Sequence, residues 1–199
     1  MKSRWLSLCA SLGLDGTETW VKIHDSYNSP ERAYHNFTHI EFCLSMLDEY
    51  HALAKNPQQI ELAIWFHDLV YDTHSHTNEA DSATVAVSFL RETEYHVAVE
   101  QLILATEHRS EPQQADSRLI ADIDLAILGS SEDAYMQYSK EIRKEYEWVP
   151  SVEFHSKRRD ILQRLLDRTY IFYTEQMRFR LEEQARKNLK NELDSYQIV

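Results

Sequence analysis

Apolar residues recur along the chain three and four positions apart, the spacing of one face of an α-helix. No segment shows the alternation of apolar and polar residues that is typical of a half-buried strand. The periodicity predicts helices over residues 3–12, 17–27, 38–54, 57–71, 78–92, 95–107, 116–128, 132–147, 151–173 and 175–194. Only three glycines and four prolines interrupt the pattern. We therefore expect an all-α fold, with a single helical domain over residues 1–199 that includes additional C-terminal helices.

Length and charge narrow the classes of function. A chain of 199 residues with 43% hydrophobic content can bury one sizeable core. The formal net charge is -12, because 33 acidic residues outnumber 21 basic ones. Such a surface repels the phosphate backbone, so we expect no nucleic-acid partner. An anionic small molecule would need a local cation, either an arginine cluster or a metal ion.

The two cysteines, Cys9 and Cys43, are too few for a disulfide framework and indicate a reducing compartment, most simply the cytoplasm. The first residues, MKSRWLSLCASLGL, have a basic tip and an apolar stretch as a signal peptide does, but serines interrupt that stretch. No later run reaches the ~20 apolar residues of a membrane span. We expect a cytoplasmic protein with no membrane partner. The charged C-terminal helix pair could cover the core or a partner subunit, so a homodimer is a candidate assembly.

Two segments place histidines and a carboxylate in apolar surroundings. In AYHNFTHIEF, residues 33–42, His35 and His39 stand four positions apart, so a helix would present both rings on one face. In AIWFHDLVYD, His67 and Asp68 fall in the middle of a predicted helix that is apolar on nearly all sides. A buried ionised carboxylate is strongly unfavourable unless it is paired or binds a metal. The alternative is a core histidine bonded to a backbone carbonyl, with the aspartate paired to an arginine.

A third segment, RLIADIDLAILG, places Asp122 and Asp124 among apolar residues, where either could instead cap a helix or form an ion pair. Together the three segments supply two imidazoles and two carboxylates. Nitrogen and oxygen ligands suit a divalent ion such as Mn, Fe, Mg or Zn. No cysteine takes part, which argues against a closed structural zinc site. We therefore predict a divalent metal site, with the metal and the number of ions open.

The order of these residues resembles that of the HD superfamily of metal-dependent phosphohydrolases. YHNFTHI is similar to the Y-H-N-x-x-H block of the cyclic-nucleotide phosphodiesterases, which share that helical fold. Over nearly its whole length, the chain resembles a bacterial group of predicted HD-superfamily metal-dependent hydrolases. The segments that carry this resemblance are YHNFTHI, LAIWFHDLVYD, NEADSA, ATEHR, ADIDLAILG, IRKEY and EEQARKNLKNEL. The resemblance implies an HD-type helical domain and a metal-dependent phosphohydrolase, but it implies no particular substrate.

The resemblance also assigns roles to single residues. It implies a metal-ligand set of His39, His67, Asp68 and Asp124, with Asp122 as the fallback for Asp124. His35, the first histidine of its block, would donate a proton to the leaving oxygen. Asp68 is the buried carboxylate that could also orient the attacking water. One imidazole of the first segment would therefore serve the metal, and the other would serve the substrate.

Other residues are candidates for contact with the substrate or for extra ligands. His108, in ATEHR, stands where superfamily members often carry another active-site histidine, although an exposed histidine at a helix end would look the same. Four arginines could each hold a phosphate through a bidentate bond or form a surface ion pair: Arg32, Arg109, Arg143 and Arg159. We assign Arg32, His108 and Arg143 to the substrate. Further metal ligands would have to come from His108 and from the loop that holds Asp72, His74, His76 and Glu79.

The function that we expect is that of a cytoplasmic phosphatase or phosphodiesterase. It would act on a small phosphate ester such as a nucleotide, through a metal-activated water. The first alternative is a regulatory HD domain that binds a nucleotide or a metal without turnover. The second is a di-iron HD oxygenase, which needs ligands beyond the predicted four.

Overall fold

The computed structural model describes residues 1–196 of the chain. The α-helices in that range are α1 (Lys2–Ser11), α2 (Thr17–Tyr27), α3 (Phe37–Glu49), α4 (Pro57–Phe66), α5 (Asn78–Leu90), α6 (His96–Ala105), α7 (Ala115–Leu125), α8 (Glu132–Glu145), α9 (Ser151–Leu166) and α10 (Glu175–Ser195). Short 3-10 turns cover His51–Leu53 and Ala126–Gly129. No strand occurs among residues 1–196, so the all-α prediction is confirmed. None of these helices has both the length and the apolar character needed to cross a membrane.

Contacts divide the chain into two compact units, Met1–Ile120 and Ala121–Val199, and the boundary falls inside α7. The first unit therefore holds α1 to α6 and the beginning of α7. The second unit holds the end of α7 together with α8, α9 and α10. The expectation of a single domain over residues 1–199 stays a prediction.

Helix α4 forms the centre of the first unit, because it is apolar on nearly every side after its first turn. Its buried side chains are Ile60, Leu62, Ala63, Ile64, Trp65 and Phe66. Helices α3, α5 and α6 pack around it. Trp5 of α1 makes edge-to-face contacts with Trp65 and Phe66, at 5.7 Å between ring centroids in both cases. The packing of α3 on α4 brings together the two histidine-bearing segments.

The end of α4 differs from the sequence prediction. The helix ends at Phe66, whereas the periodicity predicts a continuous helix through this segment. His67 and Asp68 therefore lie at and beyond the helix end, not in the middle of a helix. At Val70, hydrogen bonds with a distant side chain stand in for the backbone bonds of a helix. The Ser82 hydroxyl of α5 accepts from the N–H of Val70 and donates to its carbonyl. Periodicity does not detect such tertiary bonds.

Helix α9 also ends earlier than predicted, at Leu166. The backbone N–H groups of residues 171–174 donate to two side-chain carboxylates, those of Glu182 and Asp122. Arg186 donates to three carbonyls at and after the end of α9. Charged side chains of the second unit thus satisfy backbone groups that a longer helix would have paired with each other.

In the second unit, side chains of α8, α9 and α10 meet at a buried ion pair between Arg158 and Glu192. Arg158 Nε lies 2.9 Å from Glu192 Oε1, and the two side chains are 8% and 6% exposed. The hydroxyls of Tyr135 and Tyr196 donate to the same carboxylate. One carboxylate therefore joins groups from three helices.

Gly16→Ala is expected to lower the free energy of unfolding of the first unit by about 2–3 kcal/mol, because a buried corner has no room for a methyl group. A Cβ at residue 16 would lie 2.5 Å from Cys9 Sγ and 2.6 Å from Trp5 Nε1. Trp5 Nε1 is itself fixed by its bond to the Gly16 carbonyl. Urea unfolding followed by tryptophan fluorescence measures the loss. Gly13→Asn is the control, because Gly13 has φ 71, which asparagine tolerates, and a Cβ there meets nothing within 4 Å. Equal stability of Gly16→Ala and the wild type would contradict the expectation.

Candidate metal centre

The two buried histidines of the first unit are positioned by the start of one helix and the end of another. Asn36 is the N-cap of α3, because its side chain accepts a hydrogen bond from the Thr38 N–H. His39 follows in the first turn of that helix and is 3% exposed. His67 comes directly after α4 and is also 3% exposed. Because α3 packs on α4, the two rings lie close together, with centroids 5.2 Å apart.

Three potential metal-binding atoms converge between these elements. His39 Nε2 lies 3.1 Å from His67 Nε2. Asp68 Oδ2 lies 3.0 Å from His67 Nε2 and 3.5 Å from His39 Nε2. The three side chains form a group that could hold a metal ion. A divalent ion between them would be bound by two nitrogens and one oxygen.

The second nitrogen of His67 fixes which tautomer this ring adopts. His67 Nδ1 lies 2.9 Å from the Ile64 carbonyl oxygen. A carbonyl can only accept, so Nδ1 carries a hydrogen, and Nε2 is the ring atom that faces His39 and Asp68, where a bound metal ion would take its lone pair. Metal-binding histidines are usually oriented by such a bond from their other nitrogen. A bond to a carbonyl is also what the alternative of a core histidine predicts, so the convergence of the three atoms is the more specific observation.

The negative charge of the Asp68 carboxylate suits a metal ligand. Burial acts to raise the pKa of its carboxyl, but the imidazoles of His67 and His35, and hydrogen bonds from His39 and His67, hold the pKa well below its usual value. The carboxylate is therefore ionised at neutral pH. The alternative of a core histidine predicts that the Asp68 carboxylate pairs with an arginine. In the structure this carboxylate instead contacts the imidazoles of His39 and His67.

His35 lies at the side of this group, and its ring contacts two tyrosines. Its ring stacks on Tyr71 at 4.2 Å between centroids and meets the edge of Tyr34 at 5.0 Å. The centroid of His39 lies 5.8 Å away. His35 is half-buried. Tyr71 had no role in the sequence prediction, although it stands in the LVYD stretch directly after the predicted ligands.

Arg32 is buried under the same loops and is bonded to backbone carbonyls. Its Nη1 donates to Asp68 O at 2.6 Å and to His35 O at 3.3 Å, and its Nη2 donates to Leu69 O at 2.9 Å. Its side chain was assigned to the substrate from sequence. In the structure the guanidinium bonds three backbone carbonyls of the protein, and the assignment of Arg32 to the substrate stays a prediction.

His108 lies in the segment after α6, is half-buried and has φ 54, in the left-handed region where histidine is less rare than most residues. The neighbouring Arg109 donates to the carbonyl of His76 at 3.3 Å, so this segment contacts the 72–77 loop. His74 in that loop is exposed and bonded to the Asp72 carboxylate. Among residues 1–196, no group of three ligand atoms includes any of these histidines. The contact of His108 with substrate stays a prediction.

The other two arginines lie in the second unit. Arg143 donates to the carbonyls of Tyr146 and Val149, beyond the end of α8, and its guanidinium lies 4.7 Å from the centre of the Phe154 ring. Arg159 is exposed on α9. The assignment of Arg143 to the substrate stays a prediction.

The two aspartates of α7 have different surroundings. Asp122 is fully buried, and its two oxygens accept from Tyr173 N and Thr174 N, both at 2.7 Å. The Thr174 hydroxyl donates to the same carboxylate at 2.7 Å. Asp124 is half-buried and, two positions further along the helix, leaves it on a different side. The choice of Asp124 as fourth ligand, with Asp122 as its fallback, stays a prediction.

Asp122→Asn is expected to lower the free energy of unfolding of the second unit by about 2–3 kcal/mol, because an amide N–H₂ would then face a part-buried backbone N–H. Asparagine keeps the shape of the side chain but replaces one acceptor by a donor. Thermal and urea unfolding measure the change, and Asp124→Asn is the matched control. If both variants are as stable as the wild type, the hydrogen bonds of Asp122 with residues 173 and 174 do not contribute the expected stability. The metal content of the same two variants tests the predicted fourth ligand.

One neighbour of the group was not foreseen from the sequence. The thiol of Cys43 lies 3.8 Å from His39 Nδ1 and 3.7 Å from His39 Nε2. Nearly equal distances to two nitrogens of one ring mean that the sulfur packs against the ring and is not in line with either lone pair. The spacing of four residues on one helix was the available signal.

Comparisons with family models, with curated proteins and with solved structures gave no match. The resemblance to HD-superfamily hydrolases therefore stays an expectation from the sequence. What the fold adds is the local geometry of the three converging side chains.

Proposed function

We propose that this chain is a metal-dependent phosphohydrolase that acts on a small phosphate ester such as a nucleotide. The observation that carries the proposal is the convergence of His39 Nε2, His67 Nε2 and Asp68 Oδ2, with the His67 ring oriented by the Ile64 carbonyl. Two nitrogens and an ionised oxygen suit Mn, Fe, Mg or Zn. The net charge of -12 makes a local cation necessary for any phosphate to approach.

A divalent ion at this place would supply positive charge to a phosphoryl oxygen and lower the pKa of water. The side chains around it would do the rest. His35 would donate a proton to the departing oxygen, since its ring is oriented by Tyr71 and Tyr34 and lies next to, but not within, the group of three ligands. Asp68, held ionised, would orient the attacking water through one oxygen.

Metal analysis of protein purified without chelators is the first test, followed by a screen of phosphatase and phosphodiesterase substrates with Mn, Mg, Fe, Co or Ni added back. One divalent ion per chain with metal-dependent turnover supports the proposal. Binding of nucleotide or metal without turnover across the panel would instead favour a regulatory domain. Two irons per chain would favour an oxygenase. Predictions of a cytoplasmic location and a homodimer need separate measurements.

His35→Ala is expected to keep its metal and to lose turnover by about 10²–10⁴-fold, the usual contribution of a general acid. The reason is that His35 serves the substrate in this proposal, whereas His39 serves the metal. Metal content and kcat are measured on the same preparation. His51→Ala, which changes an exposed histidine of the same unit, is the control. Loss of metal in parallel with His39→Ala would mean that both rings bind one ion, and the division of roles would be wrong.

A further inference from the structure

Arg32 is a buried cation that bonds directly to the backbone of the candidate metal ligand Asp68. Its side chain is 8% exposed. Both hydrogens of Nη1 are committed, one to the carbonyl of Asp68 and one to that of His35, and Nη2 binds the carbonyl of Leu69. A single guanidinium thus ties the loop before α3 to the segment after α4.

The physical reason for this arrangement is the early end of α4. Carbonyls at and beyond a helix C-terminus have no helical N–H partner, and the helix dipole gives that end a negative potential that favours a cation. The guanidinium also lies 5.1 Å from the Tyr27 ring centre and 5.5 Å from that of Tyr71. Contacts with two ring faces help to offset the loss of water around the buried charge.

We propose that Arg32 is a positioning residue, which fixes the backbone of the ligand Asp68 and of the acid His35 in one geometry and does not bind the substrate itself. The inference deepens the proposed function and rests on it for the roles of these two residues. To reach a phosphate with Nη1, the guanidinium would have to give up its bond to one of the two carbonyls. A lysine has one ammonium on a flexible stem and cannot reproduce this planar fork.

The test compares Arg32→Lys and Arg32→Gln with the wild type and with Arg118→Lys. Arg118 is the matched control, because it is another arginine of the first unit that bonds a carbonyl, that of Pro112, together with the Glu111 carboxylate. Titration calorimetry with Mn²⁺ gives the metal affinity in the absence of any phosphate. Hydrogen exchange of the metal-free protein reports on the backbone of residues 28–36 and 66–71. Inorganic phosphate is then titrated into the Mn²⁺-loaded protein.

We expect both Arg32 variants to bind Mn²⁺ about 10–100-fold more weakly, as is typical for residues that orient metal ligands. Backbone exchange in residues 28–36 and 66–71 should become faster, while Arg118→Lys matches the wild type in both measurements. Unchanged Mn²⁺ affinity with weaker phosphate binding would restore the substrate role and overturn the inference. Failure of both Arg32 variants to fold, with Arg118→Lys intact, would make Arg32 a general stability residue and would overturn it too.

The same experiment separates this inference from the proposed function. A wild type that binds no Mn²⁺ or other divalent ion would contradict the proposed function, and the exchange data would still decide whether Arg32 holds the two backbone segments. A wild type that binds metal, with Arg32 variants equal to it in affinity and exchange, would contradict the positioning role alone.

Discussion

Alanine at His39 or at Asp68 is expected to remove most of the bound metal and to leave the helices folded. Each substitution deletes one of three converging donor atoms, and two of these atoms bind an ion less tightly than three. Loss of a direct ligand should weaken affinity by more than the about 10–100-fold that is typical for an orienting residue. Metal analysis after gel filtration and Mn²⁺ calorimetry measure the loss, and far-UV circular dichroism checks the helices.

The control for these variants is His74→Ala, which removes an imidazole that is 63% exposed and bonded to the Asp72 carboxylate. It should retain the metal of the wild type. Stoichiometric metal in both His39→Ala and Asp68→Ala would contradict the metal assignment. The group would then be a buried histidine–carboxylate cluster with a structural role.

The helices could be predicted from the sequence because their apolar faces repeat locally, but several of their ends could not. Helix α3, for example, ends at Glu49, where the periodicity predicts a helix through residue 54. Helix α4 ends at Phe66, where Ser82 and Arg32 bond the following backbone groups. Helix α9 ends at Leu166, and the carboxylates of Glu182 and Asp122 accept hydrogen bonds from the N–H groups of residues 171–174. After both α4 and α9, a side chain from another part of the chain bonds the backbone beyond the helix end. No local sequence pattern indicates which backbone group such a side chain will reach.

The candidate site shows the same division between local and tertiary information. The motifs identify His39, His67 and Asp68 as residues that chemistry would use, and the packing of α3 on α4 brings them together. The assumed setting of Asp68 within a helix is wrong, because α4 has already ended. The tautomer of His67 depends on which carbonyl its ring meets, and the contacts of Arg32 depend on a loop fold. Residue type alone predicts neither.

Glu192→Gln is expected to lower the free energy of unfolding of the second unit by about 3–5 kcal/mol, the usual loss when one partner of a buried ion pair is removed. The Arg158 guanidinium would remain buried with no opposite charge. The hydroxyls of Tyr135 and Tyr196 would also lose a charged acceptor. Urea unfolding monitored by circular dichroism measures the change. Glu153→Gln is the control, since its pair with Lys157 on α9 is exposed and should contribute no more than about 1 kcal/mol.

The pH dependence of stability gives a second measure of the same pair. Burial acts to raise the pKa of Glu192, but the Arg158 hydrogen bonds and charge, with the hydroxyls of Tyr135 and Tyr196, hold it below its ordinary value of 4.5. Because the folded pKa is the lower one, the carboxylate contributes its full stabilisation above about pH 4.5 and loses it as the pH falls through the folded pKa. Glu192→Gln should therefore reduce the acid sensitivity of unfolding, and Glu153→Gln should not.

A double variant separates the charge from the hydrogen bonds. If the uncompensated guanidinium causes most of the loss in Glu192→Gln, then replacing both Arg158 and Glu192 by methionine should be less damaging than the sum of the single replacements, because no buried charge is left. The two phenols would still lack their acceptor, so some destabilisation should remain. A double variant that loses as much as the sum would show that the two charges are not coupled. A Glu192→Gln variant as stable as Glu153→Gln would show that the buried pair does not hold α8, α9 and α10 together.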